Sequence, residues 1–530
     1  MSKPSERLIP KSRTARNIVG VVLGAALLAA FFAPLRNELR FTIFPQDEGL
    51  LLVYPQQILK GALPNHTFDS VYGVTNLWVL AAASKVFGAT VTVERAVGTA
   101  YRLVLVASLV GLVWRRRGPV AAAIAGILSI ILLAGTLGVA AFAWIGALAC
   151  CSLAIFLLDV GLASTRRPAA ILASGTLLGL AVGFRLDIGL AVGLMVVALR
   201  MAKGREFQML LTGLAVGLVP IVVNVVQAGP ASVVRDQILD PVFVSGPYRR
   251  LPLSNLSWQQ LALLALCVAV AVATLTVGIV GHRADRSQWD RIVLMMIGAF
   301  EFGILVQAFQ RSDTEHLAFI ACFVLPAALL LPVPTLPRVP EIVVVEAEPV
   351  AFGVIVLALA WPFFGQIYWS ASTSRAVAES TVAESTLAND GRSVIVASPK
   401  EVEQLSAILQ SIDARSGPGE RIFVGPADLR TANYSDTFLY FLVPDLVPGS
   451  YYLEMNPGVP NRVGSSLEDD LRNDRFLVLN SQWNTLSSQG KPPPFGPNGP
   501  NRVVSGLFRP VTTAGTWTLY DRKIPVTGSP

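Results

Sequence analysis

Residues 17–369 are dominated by long apolar stretches separated by short charged turns. A membrane-crossing helix needs about 20 consecutive apolar residues. About eleven stretches approach that length, at 17–34, 91–113, 119–137, 140–161, 169–184, 187–201, 208–227, 259–281, 291–309, 316–333 and 350–369. The fifth and sixth are short, and Arg185 and Asp187 separate them. One helix over both would carry those charges at its middle, so the pattern predicts two short helices meeting at a polar turn. The first two spans are joined by a long loop, 35–90, with two further apolar segments at 49–60 and 74–87. Apolar segments of about 10–14 residues tend to lie in the interface rather than cross. Both are therefore expected to be juxtamembrane helices, with Tyr54 and Trp78 at interfacial depth.

Beyond about residue 370 the rhythm changes to short alternating elements. Strands are predicted at Ser393–Ala397, Arg421–Gly425, Arg475–Asn480 and Thr516–Asp521. An amphipathic helix is predicted at Pro399–Ala414 and a rigid loop at Gly490–Asn501. The expected fold is a polytopic α-helical membrane protein with juxtamembrane helices and a C-terminal α/β domain. Its parts are a basic segment 1–16, a membrane domain 17–369 and a soluble domain 370–530. Lys3, Arg7, Lys11, Arg13 and Arg16 before the first stretch give the layout of a signal peptide. Many spans follow, and no small-x-small cleavage site precedes Arg36, so this stretch is read as an uncleaved first span.

Composition agrees with a membrane protein. Charged residues are 15% of the chain, against about 25% in soluble domains, and the mean hydropathy is +0.57. The 42 Lys+Arg against 35 Asp+Glu give a net charge of +7. In a membrane protein such an excess reflects topology and calls for no nucleic-acid partner. The basic residues sit at the N-terminus and in the turns Arg115–Arg117, Arg166–Arg167, Arg200–Arg205 and His282–Arg286. With a cytoplasmic N-terminus in the cell membrane, strict alternation puts every one of these turns inside. The same parity places 35–90, 184–187, 228–258, 310–316 and everything after about 370 outside. Ionisable residues of both signs thus converge on one face of the membrane.

Metal, disulfide and nucleotide chemistry find little support. Cys150, Cys151, Cys267 and Cys322 all lie in apolar runs without Cys-x-x-Cys spacing, which fits buried small hydrophobes. The three histidines include no i,i+4 pair, which argues against a dedicated histidine site. A divalent ion held by Asp47, Glu48 or Asp69 is left open. No phosphate-cradling glycine motif occurs.

The most informative stretch is Phe44–Gly73, FPQDEGLLLVYPQQILKGALPNHTFDSVYG. On position alone, Asp47 and Glu48 could be two acids facing water at the end of a span. The ordered set Asp47, Glu48, Gly49, Tyr54, Gly61, Pro64, Phe68, Asp69, Tyr72 and Gly73 resembles the first extracytoplasmic loop of the GT-C membrane glycosyltransferases. Phe184–Leu190 and Gln310–Leu317 resemble the charged outer turns of bacterial members. The pattern is similar to that of the protein mannosyltransferase, aminoarabinose transferase and arabinofuranosyltransferase group.

The resemblance implies a GT-C-like fold and sugar transfer from a polyprenyl-phosphate donor to a glycan, lipid or protein acceptor of the cell envelope. It points to Asp47 as the general base of an inverting single displacement, with Glu48 orienting the acceptor or adjusting the charge around Asp47. An acceptor hydroxyl is a poor nucleophile until a base takes its proton. The lipid phosphate that leaves needs cations around it. Arg311 and His316 are the first choice, because RSDTEH stands at the start of a span beside the interface. Arg185 is a further candidate, or a structural partner of Asp187. Arg249 and Arg250 lie in GPYRRLP, a segment that could cover the donor or be a solvated loop. Tyr54, Lys60, His66, Asp69, Tyr72 and Asp313 complete the expected substrate-facing set. In the C-terminal domain Arg430, Tyr434 and Tyr440 are suited to a sugar acceptor or to packing on the domain's own sheet. The rival reading is a transporter or flippase of a lipid-linked saccharide. Transporters of that kind show internal repeats and charges near the midplane, whereas here no repeat is visible and the charges gather at one face.

Overall fold

The computed structural model describes residues 13–136, 138–163, 168–200, 204–284, 289–332, 341–373, 379–484 and 495–523. The basic turn at Arg166 and Arg167, parts of the turns 200–205 and 282–286, residues 1–12 and part of the loop 490–501 lie outside the described residues.

Each apolar stretch of residues 17–369 is helical. Val19–Glu38, Val91–Arg117, Ala143–Leu162, Arg205–Ala228, Trp258–His282, Arg291–Gln310 and Ala347–Thr373 are long and apolar enough to cross a membrane. Pro119–Leu133, Pro168–Phe184, Ile188–Arg200 and Thr314–Leu330 are shorter apolar helices. The chain is a multi-pass membrane protein. The turn at Arg185–Asp187 separates two short helices, as the charges at that point require.

Val91–Arg117 spans 27 residues, a length of about 40 Å at 1.5 Å per residue. At one end Arg115 and Arg116 bind the Asp159 carboxylate, with Arg115 Nε 2.8 Å from Oδ2, and Arg117 pairs with Glu348. At the other end the same helix meets the first loop. The basic turn is thereby tied to two neighbouring helices at the end of the bundle opposite the loop.

Packing between helices relies on small residues where apolar side chains alone would give little specificity. Pro168–Phe184 and Arg205–Gly217 approach through Gly175, Gly179, Gly213 and Gly217. A Cβ on Gly213 would stand 2.1 Å from the Leu172 carbonyl oxygen, and one on Gly175 2.1 Å from that of Leu210. Backbone cannot retreat as a side chain can. Gly213→Ala is expected to lower the thermal unfolding midpoint of the detergent-solubilised protein by an amount matching about 1–3 kcal/mol of overpacking. Gly193→Ala, at a position with nothing within 4 Å, is the control and should leave the midpoint in place.

The first loop folds into Asp47–Leu59 and Val74–Phe87, matching the two expected juxtamembrane helices. The first is more enclosed than an interfacial helix would be. Leu50, Leu51, Leu52, Val53 and Tyr54 are all buried, because the C-terminal domain closes over it. Phe438 N donates to the Pro45 carbonyl at 3.1 Å, Ile43 N to Ile395 at 2.8 Å and Asp69 N to Tyr451 at 2.7 Å. Two motif glycines mark close backbone approaches, Gly49 to the C-terminal domain and Gly73 to the helix Pro168–Phe184. A Cβ on Gly49 would lie 2.5 Å from Phe438 N, and one on Gly73 2.1 Å from the Gly183 carbonyl oxygen.

The C-terminal domain holds a hairpin and a five-stranded sheet. The hairpin joins β1 (Thr386–Asn389) to β2 (Arg392–Ile395). Its two-residue turn, Asp390-Gly391, has φ of 45° and 70°, the positive values a type I′ turn needs at both positions. The sheet comprises β3 (Arg421–Pro426), β4 (Val447–Pro448), β5 (Phe476–Asn480), β6 (Phe508–Ala514) and β7 (Trp517–Arg522) in the order β4-β3-β5-β7-β6. The β3–β4 and β3–β5 pairs are parallel, and β7 runs antiparallel to both β5 and β6. Helix Pro399–Asp413 buries Leu405, Ile408, Leu409 and Ile412 in this domain's core. The expected strands at 421–425, 475–480 and 516–521 and the helix at 399–414 are present within two residues, and β1, β4 and β6 are additional.

Candidate active site

Asp47 and Glu48 open the same helix, yet they serve different neighbourhoods. Successive helical residues are rotated by about 100°, at 3.6 per turn, so adjacent side chains cannot share a face. Glu48 is 0% exposed. Its two oxygens accept from Arg95, Nε to Oε1 at 2.6 Å and Nη2 to Oε2 at 2.9 Å. Arg95 Nη1 also donates to the carbonyls of Leu39 at 3.0 Å and Phe41 at 2.9 Å. The pair therefore pins the entry of the first loop to the start of Val91–Arg117. Asp47 is only partly buried and accepts a hydrogen bond at 2.8 Å from the Tyr434 hydroxyl of the C-terminal domain.

Three of the expected arginines act on the same neighbours as Asp47. Asp47 and Arg185 are both within electrostatic range of Tyr72 and Glu454, and so is Arg249. Arg311 and Arg185 are within range of His316. Asp313 organises Arg311 and His316. Its Oδ2 accepts from Arg311 Nε at 2.9 Å, while Oδ1 lies 2.7 Å from His316 Nδ1 and 2.8 Å from the His316 backbone N–H. Burial acts to raise the Asp313 carboxyl, but the bonds to His316 outweigh it and hold the group below its ordinary value. Asp313 is also the N-cap of Thr314–Ala327, which fixes where both side chains stand. Arg185 pairs with Asp187, Nη2 to Oδ2 at 2.8 Å, and stacks over Trp144 at 5.4 Å. Its structural pairing and its place beside Tyr72 coexist. Arg249 approaches Glu454 at 3.6 Å.

Three further groups belong to this space, Glu454, Glu315 and Tyr434. Glu454, 2% exposed, comes from the C-terminal domain. Burial first, then the nearby Asp47 carboxylate, raises it, against the opposing pull of Arg249 and Arg185. Glu315 lies within range of Asp313, Arg311 and Asp47. Of the aromatic residues expected either to meet a sugar acceptor or to pack on the domain's own sheet, Tyr434 touches Asp47, whereas Tyr440 is a core residue whose hydroxyl accepts from Val424 N at 2.8 Å. Arg430 pairs with Asp428. Glu315 stands in the charged turn already singled out and was legible by position, but nothing near Glu454 in the chain marks it.

Other expected residues lie elsewhere. Tyr54 is stacked on Phe68 at 4.7 Å and donates to the Asp69 carbonyl at 2.8 Å. Asp69 is buried, and burial followed by Asp236 and Glu454 pushes its carboxyl well up. Lys60 Nζ bonds the Pro444 carbonyl at 2.6 Å on the seam with the C-terminal domain. His66 and Arg250 are exposed. Tyr72 is buried beside the site, and burial followed by Glu454 and Asp47 raises its hydroxyl well above the ordinary range. The carboxylates of Asp47, Glu48 and Asp69 thus point to three different surroundings. Among the described residues no group of three or more His, Cys, Asp or Glu is close enough to hold a metal ion.

No family model and no curated protein matches the chain in sequence. Solved structures do match it in shape. ArnT from Cupriavidus metallidurans bound to undecaprenyl phosphate superposes with a TM-score of 0.53 at 15% identity, covering 94% of this chain and 97% of that one. The apo form of the same enzyme gives 0.52 at 14% identity, covering 96% and 98%. The apo Archaeoglobus fulgidus oligosaccharyltransferase gives 0.52 at 11% identity, covering 90% and 71%. The chain has the GT-C fold. At such identities the likeness carries the architecture, and the chemistry must be argued from this chain's own residues. In this GT-C fold the first loop, the turn at Arg185 and the segment Arg311–His316 meet at one end of the bundle, under the C-terminal domain.

Proposed function

We propose that the protein is a membrane glycosyltransferase. It moves a sugar from a polyprenyl-phosphate donor to a cell-envelope acceptor on the extracytoplasmic face, by an inverting single displacement with Asp47 as general base. The observation that carries this reading is the meeting of Asp47 with Arg185, Arg249, Arg311 and His316 at one end of a GT-C bundle. One carboxylate facing a group of cations is what the reaction needs. As the acceptor oxygen bonds to the anomeric carbon, its proton passes to Asp47. The bond from the anomeric carbon to the phosphate oxygen breaks, and its electron pair stays on the lipid phosphate. Arg311, held by Asp313, neutralises that charge, with Arg185 and Arg249 beside it and His316 in the same space. Tyr434 fixes the direction of the Asp47 carboxylate. Glu48 acts at one remove, by holding the loop through Arg95.

The reading is tested with the purified full chain, labelled polyprenyl-phosphate pentoses and hexoses, and envelope glycan, lipid or protein as acceptor. Label is expected in the acceptor. Movement of lipid-linked saccharide across vesicles without any transfer would favour the flippase instead. A chelator arm reports whether a divalent ion takes part. Arg311→Ala is expected to raise the donor KM and lower kcat together, since its charge–charge contact strengthens as the phosphate leaves. A hydrogen bond to a charged group is worth about 1.5–3 kcal/mol, which corresponds to a loss in kcat/KM of about tenfold to a hundredfold. For topology, cysteines placed at 47, 185 and 313 should label from one side of sealed vesicles, the side opposite to the N-terminus.

A further inference from the structure

A cavity of about 530 Å³ lies between the start of the first loop and the C-terminal domain, with Pro45 and Phe438 in its wall. That volume falls within the range of small-molecule sites, about 300–1,000 Å³. Two tryptophans, Trp483 and Trp517, line it. Trp517 is fixed by its indole N–H, which donates at 2.8 Å to Asp436, a carboxylate 2% exposed that also accepts from Asn480 at 2.7 Å. Gln404 and Gln482 line the same cavity. Among the described residues their side-chain amides make no hydrogen bond, so donors and acceptors are left for a ligand. The charged groups lining the cavity are Lys400 against Glu401 and Asp436, with no arginine.

The cavity adjoins the base. Trp483 packs against Tyr434 with ring centroids 4.8 Å apart, and Tyr434 donates to Asp47. Two aromatic rings, Trp483 in the cavity wall and Tyr434 behind it, therefore lie between the cavity and the carboxylate.

We infer that this cavity is a subsite for a neutral saccharide, holding acceptor sugar units next to the one that reacts. A pyranose or furanose presents apolar C–H faces and a rim of hydroxyls. Indole faces match the first, and the amides of Gln404 and Gln482 match the second by donating and accepting at once. The absence of an arginine among the lining residues disfavours phosphate or uronate groups, which need a cationic fork. As an acceptor subsite it rests on the proposed glycosyl transfer at Asp47; as a saccharide site it does not.

The test uses the full chain in a detergent without a sugar head group. Saturation-transfer NMR is recorded with neutral trisaccharides of glucose, galactose, mannose and arabinose, and with a trigalacturonate. The wild type is expected to bind at least one neutral trisaccharide saturably. The double substitution Gln404→Ala with Gln482→Ala should weaken that binding by about tenfold, or 1.4 kcal/mol. Trp483→Ala should remove it. No binding of any neutral trisaccharide, binding of trigalacturonate alone, or unchanged binding in the double variant would each overturn the inference. Binding is read without turnover, so the two proposals fail separately. Sugar transfer persisting in Asp47→Asn would end the mechanism and leave the subsite standing. Intact binding in the double variant would end the subsite and leave the mechanism.

Discussion

Asp47→Asn is expected to reduce sugar transfer by about 10²–10⁴-fold, the usual contribution of a positioned general base. The substitution is nearly isosteric. Its amide oxygen can still accept from the Tyr434 hydroxyl, so the loop and the wall of the C-terminal domain should keep their places. What is lost is the capacity to take a proton. The loss should therefore fall on kcat, with the donor KM close to that of the wild type, because the donor's phosphate is held by Arg311, His316 and their neighbours. Steady-state transfer from a labelled polyprenyl-phosphate sugar at several donor concentrations separates the two parameters. A variant that keeps its kcat within about twofold, against the 10²-fold minimum expected of a base, would move the role to another acid. Glu315 and Glu454 are then next, since both lie within electrostatic range of Asp47. Glu454→Gln serves as the internal comparison. Glu454 contacts Arg249, so its removal should act chiefly through that arginine.

Much of the architecture was legible because hydrophobic length and period are local properties. The helices, the break at Arg185–Asp187 and most of the C-terminal sheet follow from windows of a few residues. The hairpin of β1 and β2 was also legible, since Asp390-Gly391 between short β-prone segments is a strong turn signal that the strand prediction at 393–397 passed over. The site was legible only in part. Asp47, Arg185, Arg311, Asp313 and His316 stand in charged turns beside spans, and parity of the spans brought them to one face. Tyr434 and Glu454 reach the same space from about 390 and 410 residues away along the chain, and no local pattern encodes a contact of that range. Glu48 shows the opposite limit. Its place beside Asp47 in the motif pointed to the chemistry, while the helix geometry turned it toward Arg95. Only side-chain direction decides between the two.

Glu48→Ala should be among the most destabilising single changes in the chain. Its partner Arg95 has a side chain 4% exposed, and removing the carboxylate leaves a guanidinium buried without its counter-charge. Breaking a buried ion pair from one side costs about 3–5 kcal/mol. Arg95→Met should cost a similar amount, since it strips Glu48 of its partner and leaves the carbonyls of Glu38, Leu39 and Phe41 without their shared donor. The double variant should recover part of the loss, because neither charge is then left alone. Recovery should be incomplete, since those carbonyls remain unsatisfied in a buried place. The measurement is a double-mutant cycle on thermal unfolding of the solubilised protein, with a coupling energy expected toward the upper end of the usual 0.5–3 kcal/mol. Simple additivity of the two single changes would remove the pair as the pin of the first loop. Activity supplies the second readout. Glu48→Gln keeps the shape and one acceptor oxygen, so it should lower transfer less than Asp47→Asn while raising the acceptor KM, the mark of a loop held less firmly rather than of a missing base. Equal losses in kcat from the two substitutions would place Glu48 in the reaction itself. The two acids would then act on one substrate from one helix turn, and the side-chain directions seen in the structure oppose that arrangement.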